Sequence, residues 1–185
     1  MKTYTKKDYN SGEGMLTSVW GPGMWHFLHT ISFNYPINPS KKDKMNYKRF
    51  ILNLKNILPC KYCRINLKKN FKILPITDKV MLNRDNFSKY IYDLHEHINI
   101  MLGKNSNLLY EDIRERYEHF RARCNNTKKV VIKNNIEKGC TESLYGEKSK
   151  CVIKIVPITN KCETFQMNKK CIKRRLKTAK IIKNR

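Results

Sequence analysis

Acidic side chains are scarce in this sequence: 15 Asp and Glu stand against 39 Lys and Arg, a formal net charge of +24 over 185 residues. Such an imbalance promotes association with polyanions, chiefly nucleic acid or acidic protein surfaces, or else reflects a compositional drift toward Lys, Asn and Ile. Glycine and proline are also few, at 7 and 6, while 40% of residues are hydrophobic, which favours a packed helical core over wholesale disorder. No segment approaches ~18 uninterrupted apolar residues, and none is expected to cross a membrane as a helix. Residues 1–10 are polar and charged, without the apolar stretch of a secretory signal. The length suits one domain, or a domain with a tail, rather than two full domains.

The charge is unevenly spread. Residues 125–185 hold 17 basic against 4 acidic residues, and residues 1–124 hold 22 against 11, so the second part is about twice as charge-dense. Seven cysteines are present, an odd count at irregular spacing that argues against a fully paired secreted framework. In a reducing compartment a CxxC serves redox chemistry or metal binding more often than it staples a fold.

Hydrophobic periodicity predicts helices through the first 124 residues. Trp25, Leu28, His29, Ser32 and Phe33 fall on one face of a helix opening after Trp20-Gly21-Pro22-Gly23 and stopping near Tyr35-Pro36. Ser40, with Asp43 three residues on, reads as a capped start for a second helix, whose stripe is Phe50, Ile51, Leu54, Ile57 and Leu58. Pro59 interrupts it, and Cys60-Lys61-Tyr62-Cys63 opens a third helix running to about residue 71. A fourth is expected over 84–102, ended by Gly103, and a fifth over 110–123, with Ile113, Tyr117 and Phe120 inward. Beyond Cys124 the character changes, with a boundary near Asn125. Residues 130–132 and 152–156 read as two short strands, and the last fifteen residues as a basic tail. The first part is thus an all-α small bundle of four to five helices.

A CxxC at a helix N-terminus has a physical rationale. Exposed backbone N–H groups and the positive end of the dipole stabilise a thiolate, Lys61 and Arg64 add positive charge, and sulfurs one turn apart can close a disulfide. The motif would serve a thioredoxin-like oxidoreductase, half a zinc site or a flavin-coupled oxidase. Thioredoxin chemistry needs a βαβ context, whereas this motif lies in a run of helices. Zinc would need two further ligands, such as His95 with His97 or Cys124 with His119. A basic nucleic-acid- or virion-binding protein with a structural or zinc-binding CxxC is the alternative reading.

Trp20-Gly21-Pro22-Gly23-Met24-Trp25-His26-Phe27-Leu28-His29-Thr30, Tyr35-Pro36, Pro59-Cys60-Lys61-Tyr62-Cys63 and His95-Glu96-His97-Ile98-Asn99 with Leu102-Gly103-Lys104 resemble, in order and spacing, the signature of Erv/ALR sulfhydryl oxidases over residues 20–124. The resemblance implies a four-helix bundle with a short fifth helix, usually a homodimer, that holds FAD beside the CxxC. Carried over, Cys63 resembles the flavin-proximal thiol and Cys60 the interchange thiol. Gly21, Trp25, His29, Tyr35, His95, Asn99, Lys104 and Tyr117 would contact the cofactor. An apolar ring and a pyrophosphate suit such interleaved aromatics and cations.

Glu96 departs from the Asn usual in the family, Tyr90 from Trp, and Leu58 from Tyr. The stretch over 117–124 and the Gly-Pro before Trp25 look like the virus-encoded branch, which implies work in the host-cell cytoplasm, or in the virion, on virion proteins. The implied reaction takes electrons from dithiol protein substrates through the CxxC and FAD to molecular oxygen, giving hydrogen peroxide. No second CxxC is present, and Cys140, Cys151, Cys162 and Cys171 could form a shuttle, a structural disulfide or a metal site. The basic extension, residues 125–185, is expected to contact polyanions.

Overall fold

Capping chemistry and apolar spacing produce six α-helices among the described residues. The computed structural model describes residues 3–122, 140–141, 143–144, 146–163 and 165–172. The helices are α1 (Lys6–Tyr9), α2 (Thr17–Phe33), α3 (Lys41–Ile57), α4 (Lys61–Ile73), α5 (Arg84–Met101) and α6 (Tyr110–Glu118), followed by a single 3-10 turn at Lys169–Cys171. The chain divides into two compact units, Met1–Tyr110 and Glu111–Arg185. The boundary expected near Asn125, the strand expected over 130–132 and the basic tail's last residues lie outside the described residues.

Helices α3, α4 and α5 start or stop for local reasons. Ser40 caps α3 in a reciprocal box with Asp43, as the sequence pattern requires, and Leu58 swings to ψ 136° because the following Pro59 disfavours the helical region. Cys60 itself caps α4, in the role usually filled by Ser or Asp. Asn83 caps α5, its side-chain oxygen accepting from the Asn86 N–H at 2.9 Å. At the other end Gly103 adopts φ 65°, a conformation that costs glycine nothing. The Lys104 N–H can then donate to the Asn99 carbonyl at 2.8 Å and the Gly103 N–H to that of Ile100 at 3.0 Å.

The first helix begins earlier than the sequence pattern implied. The turn expected at Gly21-Pro22-Gly23 is helical, and α2 already starts at Thr17. Pro22 removes only the one ladder bond to Ser18, close to the N-terminus where few such bonds exist.

Helix α2 packs on α5 and α3 packs on α4, and all four meet in one core. Tyr35, Ile51, Met81, Phe87 and Ile91 are sealed from solvent there, and Leu28, Leu54, Leu67 and Leu94 are buried with them. Burial of each such side chain contributes about 1.5–3 kcal/mol.

In the second unit α6 stops at Glu118, short of the expected residue 123. Arg116 lies over the Phe165 ring at 4.9 Å, and the Leu144 N–H donates to the Arg121 carbonyl at 2.8 Å. The strand expected over 152–156 does not form. Val152, Ile153 and Ile155 are exposed, and no segment among the described residues supplies a ladder for their backbone. Extended pairing among the described residues is confined to a single bridge between Ala122 and Ser143.

Candidate redox site and aromatic cluster

The Pro59-Cys60 corner forces both cysteines into the first turn of α4. The Cys63 backbone N–H donates to Cys60 Sγ at 3.3 Å, and both side chains are free thiols. Hydrogen bonds from the Cys63 thiol, foremost, and from the Cys63 N–H hold the Cys60 thiol below its usual range. Burial pushes the Cys63 thiol up, and its bond to Cys60 adds to the rise. The lowering of Cys60 thus comes from hydrogen bonding, and neither Lys61 nor Arg64, whose charge was expected to supply it, is among its causes. Arg64 directs its guanidinium to the Leu58 carbonyl instead.

A segment from the N-terminus braces this corner. The Met15 N–H donates to the Pro59 carbonyl at 2.8 Å, and a Cβ added at Gly14 would meet that same oxygen at 2.7 Å, so the close approach requires glycine. Two residues later, Thr17 Oγ1 lies 3.7 Å from Cys63 Sγ. Sequence reasoning missed this contact, since nothing local to Thr17 marks it.

On α2 and α5, three of the expected cofactor residues converge. The Trp25 and His95 rings stack at 3.9 Å with an interplanar angle of 8°, and His29 Nε2 meets His95 Nδ1 at 3.0 Å. Burial lowers His29 to about 3 and His95 to about 4, so both imidazoles are neutral at physiological pH. One turn on, Asn99 donates to Glu96 at 2.9 Å, and Ser106 donates to the other Glu96 oxygen at 2.9 Å. Glu96, where the resemblance led us to expect Asn, thus ties α5 to the turn that carries Lys104. His97 Nε2 is buried with no hydrogen-bond partner among the described residues. The stacked Trp25–His95 wall, with neutral imidazoles at its edge, fits a flat aromatic heterocycle.

Two further expected site residues, Tyr35 and Gly21, are buried in the first unit. Tyr35 is a core residue, fully buried, with its hydroxyl donating to the Met81 carbonyl at 3.0 Å, which leaves no face for a ligand. Gly21 is buried within α2. Tyr117 belongs to the second unit, where it is buried. In that unit Cys140 is in a disulfide, while Cys151, Cys162 and Cys171 are free thiols and Cys124 lies outside the described residues. Among the described residues no three His, Cys, Asp or Glu side chains converge as metal ligands. No described helix is long and apolar enough to cross a membrane.

Fold and site together define a class: an all-α protein that presents a helix-capped dithiol. The Erv1 / Alr family model matches residues 22–130, and the chain belongs to the Erv1/Alr family. It is similar to virus-encoded members. Over 90 residues it is 38% identical to the Probable FAD-linked sulfhydryl oxidase of Acanthamoeba polyphaga mimivirus, covering 49% of this chain and 63% of that protein. Over 85 residues it is 29% identical to the FAD-linked sulfhydryl oxidase of African swine fever virus, covering 46% of this chain and 69% of that one. A crystal structure of a cysteine-to-serine mutant of Erv1 from Saccharomyces cerevisiae superposes with TM-score 0.51 at 18% identity, over 63% of this chain and 95% of the yeast chain. That likeness speaks to the fold.

Proposed function

We propose that this chain is an FAD-dependent thiol oxidase that introduces disulfides into protein substrates. The observation that carries the reading is the Cys60–Cys63 pair, with its unequal thiols at the head of α4, in a member of the Erv1/Alr family. In the proposed cycle a substrate thiolate attacks Cys60 of the Cys60–Cys63 disulfide, and Cys63 leaves as the thiolate. The second substrate thiol then attacks the mixed disulfide, so the substrate loses two electrons and two protons and the cysteine pair becomes a dithiol. FAD, when bound, accepts those two electrons and passes them to molecular oxygen, giving hydrogen peroxide. Cys60 is the interchange thiol because its thiolate is favoured, and Cys63, held inward on α4, is the thiol on the cofactor side.

Trp25, His29 and His95 would hold the flat part of the cofactor, and Asn99 and Lys104 its polar end. Residues 20–124 would form the oxidase module, with residues 125–185 an extension suited to polyanions. A homodimer and work in host cytoplasm or virion follow from the family and its viral relatives as parts of the same proposal.

Purified protein should show a flavin spectrum that bleaches with dithiothreitol without air and returns on aeration. A Cys63→Ser protein that oxidised dithiols at the wild-type rate would overturn the mechanism.

A further inference from the structure

We propose that the α3–α4 pair is the docking surface for the reducing substrate, and that this substrate is a protein whose cysteine pair is flanked by acidic residues. The inference rests on the oxidase reading and adds the chemical class of its substrate.

Charge in the first unit is segregated by element. Helix α2 has no Lys, Arg, Asp or Glu, and α5 has 2 basic against 3 acidic residues, whereas residues 41–73 hold 11 basic residues against Asp43 alone. A uniform drift of composition toward lysine would not sort charge this way. Asp43 is moreover committed to the Ser40 cap, accepting from its N–H at 2.9 Å and its hydroxyl at 2.6 Å. Among the described residues the ion pair that reaches α3 or α4 is Lys48–Asp78, at 3.8 Å and with Asp78 fully exposed, a pair of small worth. The positive field of the two packed helices is therefore left for a partner to neutralise.

That field leads to the thiols. On α4, Lys61, Lys68 and Lys72 recur at i, i+7 and i+11 on the outward face, and Lys69 lies one turn-pair beyond Tyr62; all are exposed. The opposite face carries Cys63, Leu67 and Asn70. Tyr62 and Ile65, 76% and 44% exposed, place apolar contacts inside the stripe. A thiol exchange site at the head of a cationic, partly apolar stripe selects a partner that brings both thiols and negative charge. Nucleic acid brings only the charge.

The test uses the FAD-loaded full-length protein and three peptides with the same dithiol core, flanked by Glu, by Ser or by Lys. Oxygen uptake at low salt should give the Glu-flanked peptide a kcat/KM roughly tenfold or more above the Lys-flanked one, a gap that closes as salt screens the surface. The triple variant Lys68→Glu, Lys69→Glu, Lys72→Glu should lose about that factor for the Glu-flanked peptide while oxidising dithiothreitol as the wild type does. Equal rates for the Glu- and Lys-flanked peptides, or a triple variant that keeps its preference, overturn the proposal. Wild type that fails to oxidise dithiothreitol counts against the oxidase reading alone. The docking surface is then read by anisotropy of the same peptides with Ser for Cys: binding of the Glu-flanked form, lost in the triple variant, sustains it. Tighter binding of duplex DNA than of that peptide, abolished by the same three substitutions, assigns the stripe to nucleic acid and overturns it.

Discussion

His29 and His95 face each other nitrogen to nitrogen at 3.0 Å, Nε2 of the first against Nδ1 of the second. Such a contact holds one proton between two neutral rings, one donating and the other accepting. A second proton would set two donors against each other in a buried site.

Acid should therefore unfold this protein before its carboxylates titrate. Burial, foremost, holds His29 at about 3 and His95 at about 4, below the value near 6.5 expected in the unfolded chain. The unfolded state thus binds more protons between about pH 6.5 and 4, and stability, full above that window, falls within it as pH falls. Each histidine contributes a slope of up to about 1.4 kcal/mol per pH unit there. Urea unfolding near neutrality and near pH 5 measures it. A flat profile would remove the histidine pair from the stability argument.

The two thiols of the reduced protein should differ in reactivity. Cys60 should be alkylated by iodoacetamide at a pH below the usual value of 9.0, with Cys63 lagging. Thr17→Val removes a hydrogen bond that lowers both thiols, so both alkylation edges should move to higher pH. Peptide mapping by mass spectrometry after timed labelling resolves the two positions, and equal rates at Cys60 and Cys63 would contradict the assignment of roles.

Tyr35→Phe tests the core assignment. The substitution leaves the buried Met81 carbonyl without its donor, which should cost about 1–3 kcal/mol, whereas Tyr62→Phe on the exposed start of α4 should stay within about 0.5 kcal/mol. Denaturant melts with unchanged slopes measure both. A Tyr35→Phe protein as stable as wild type, with weakened FAD retention, would return Tyr35 to the cofactor site.

Much of the fold was legible because it rests on short-range rules. The Ser40-Lys41-Lys42-Asp43 box, the face of Leu28, His29, Ser32 and Phe33, and the stop at Gly103 all behave as local chemistry requires. The same pattern, Thr5-Lys6-Lys7-Asp8, caps the short α1, where no apolar stripe follows it to mark a helix. What sequence could not supply were contacts between distant residues. The Thr17–Cys63 approach spans 46 positions, and the burial of the Tyr35 hydroxyl depends on where Met81 arrives. The strand expected over 152–156 failed for a related reason, since apolar alternation cannot show whether a partner strand exists.

The brace formed by Gly14 and Met15 on Pro59 has a consequence for how this chain tolerates change in length. One backbone bond and one close approach fix which residue of the N-terminal arm sits on the cysteine corner, and Thr17 then follows at a set distance into α2. Lengthening or shortening the chain by a single residue between Met15 and Thr17 would move the hydroxyl off the sulfur while leaving every cysteine in place. The indel-sensitive part of the redox site therefore begins at Gly14, far ahead of its first cysteine in the chain.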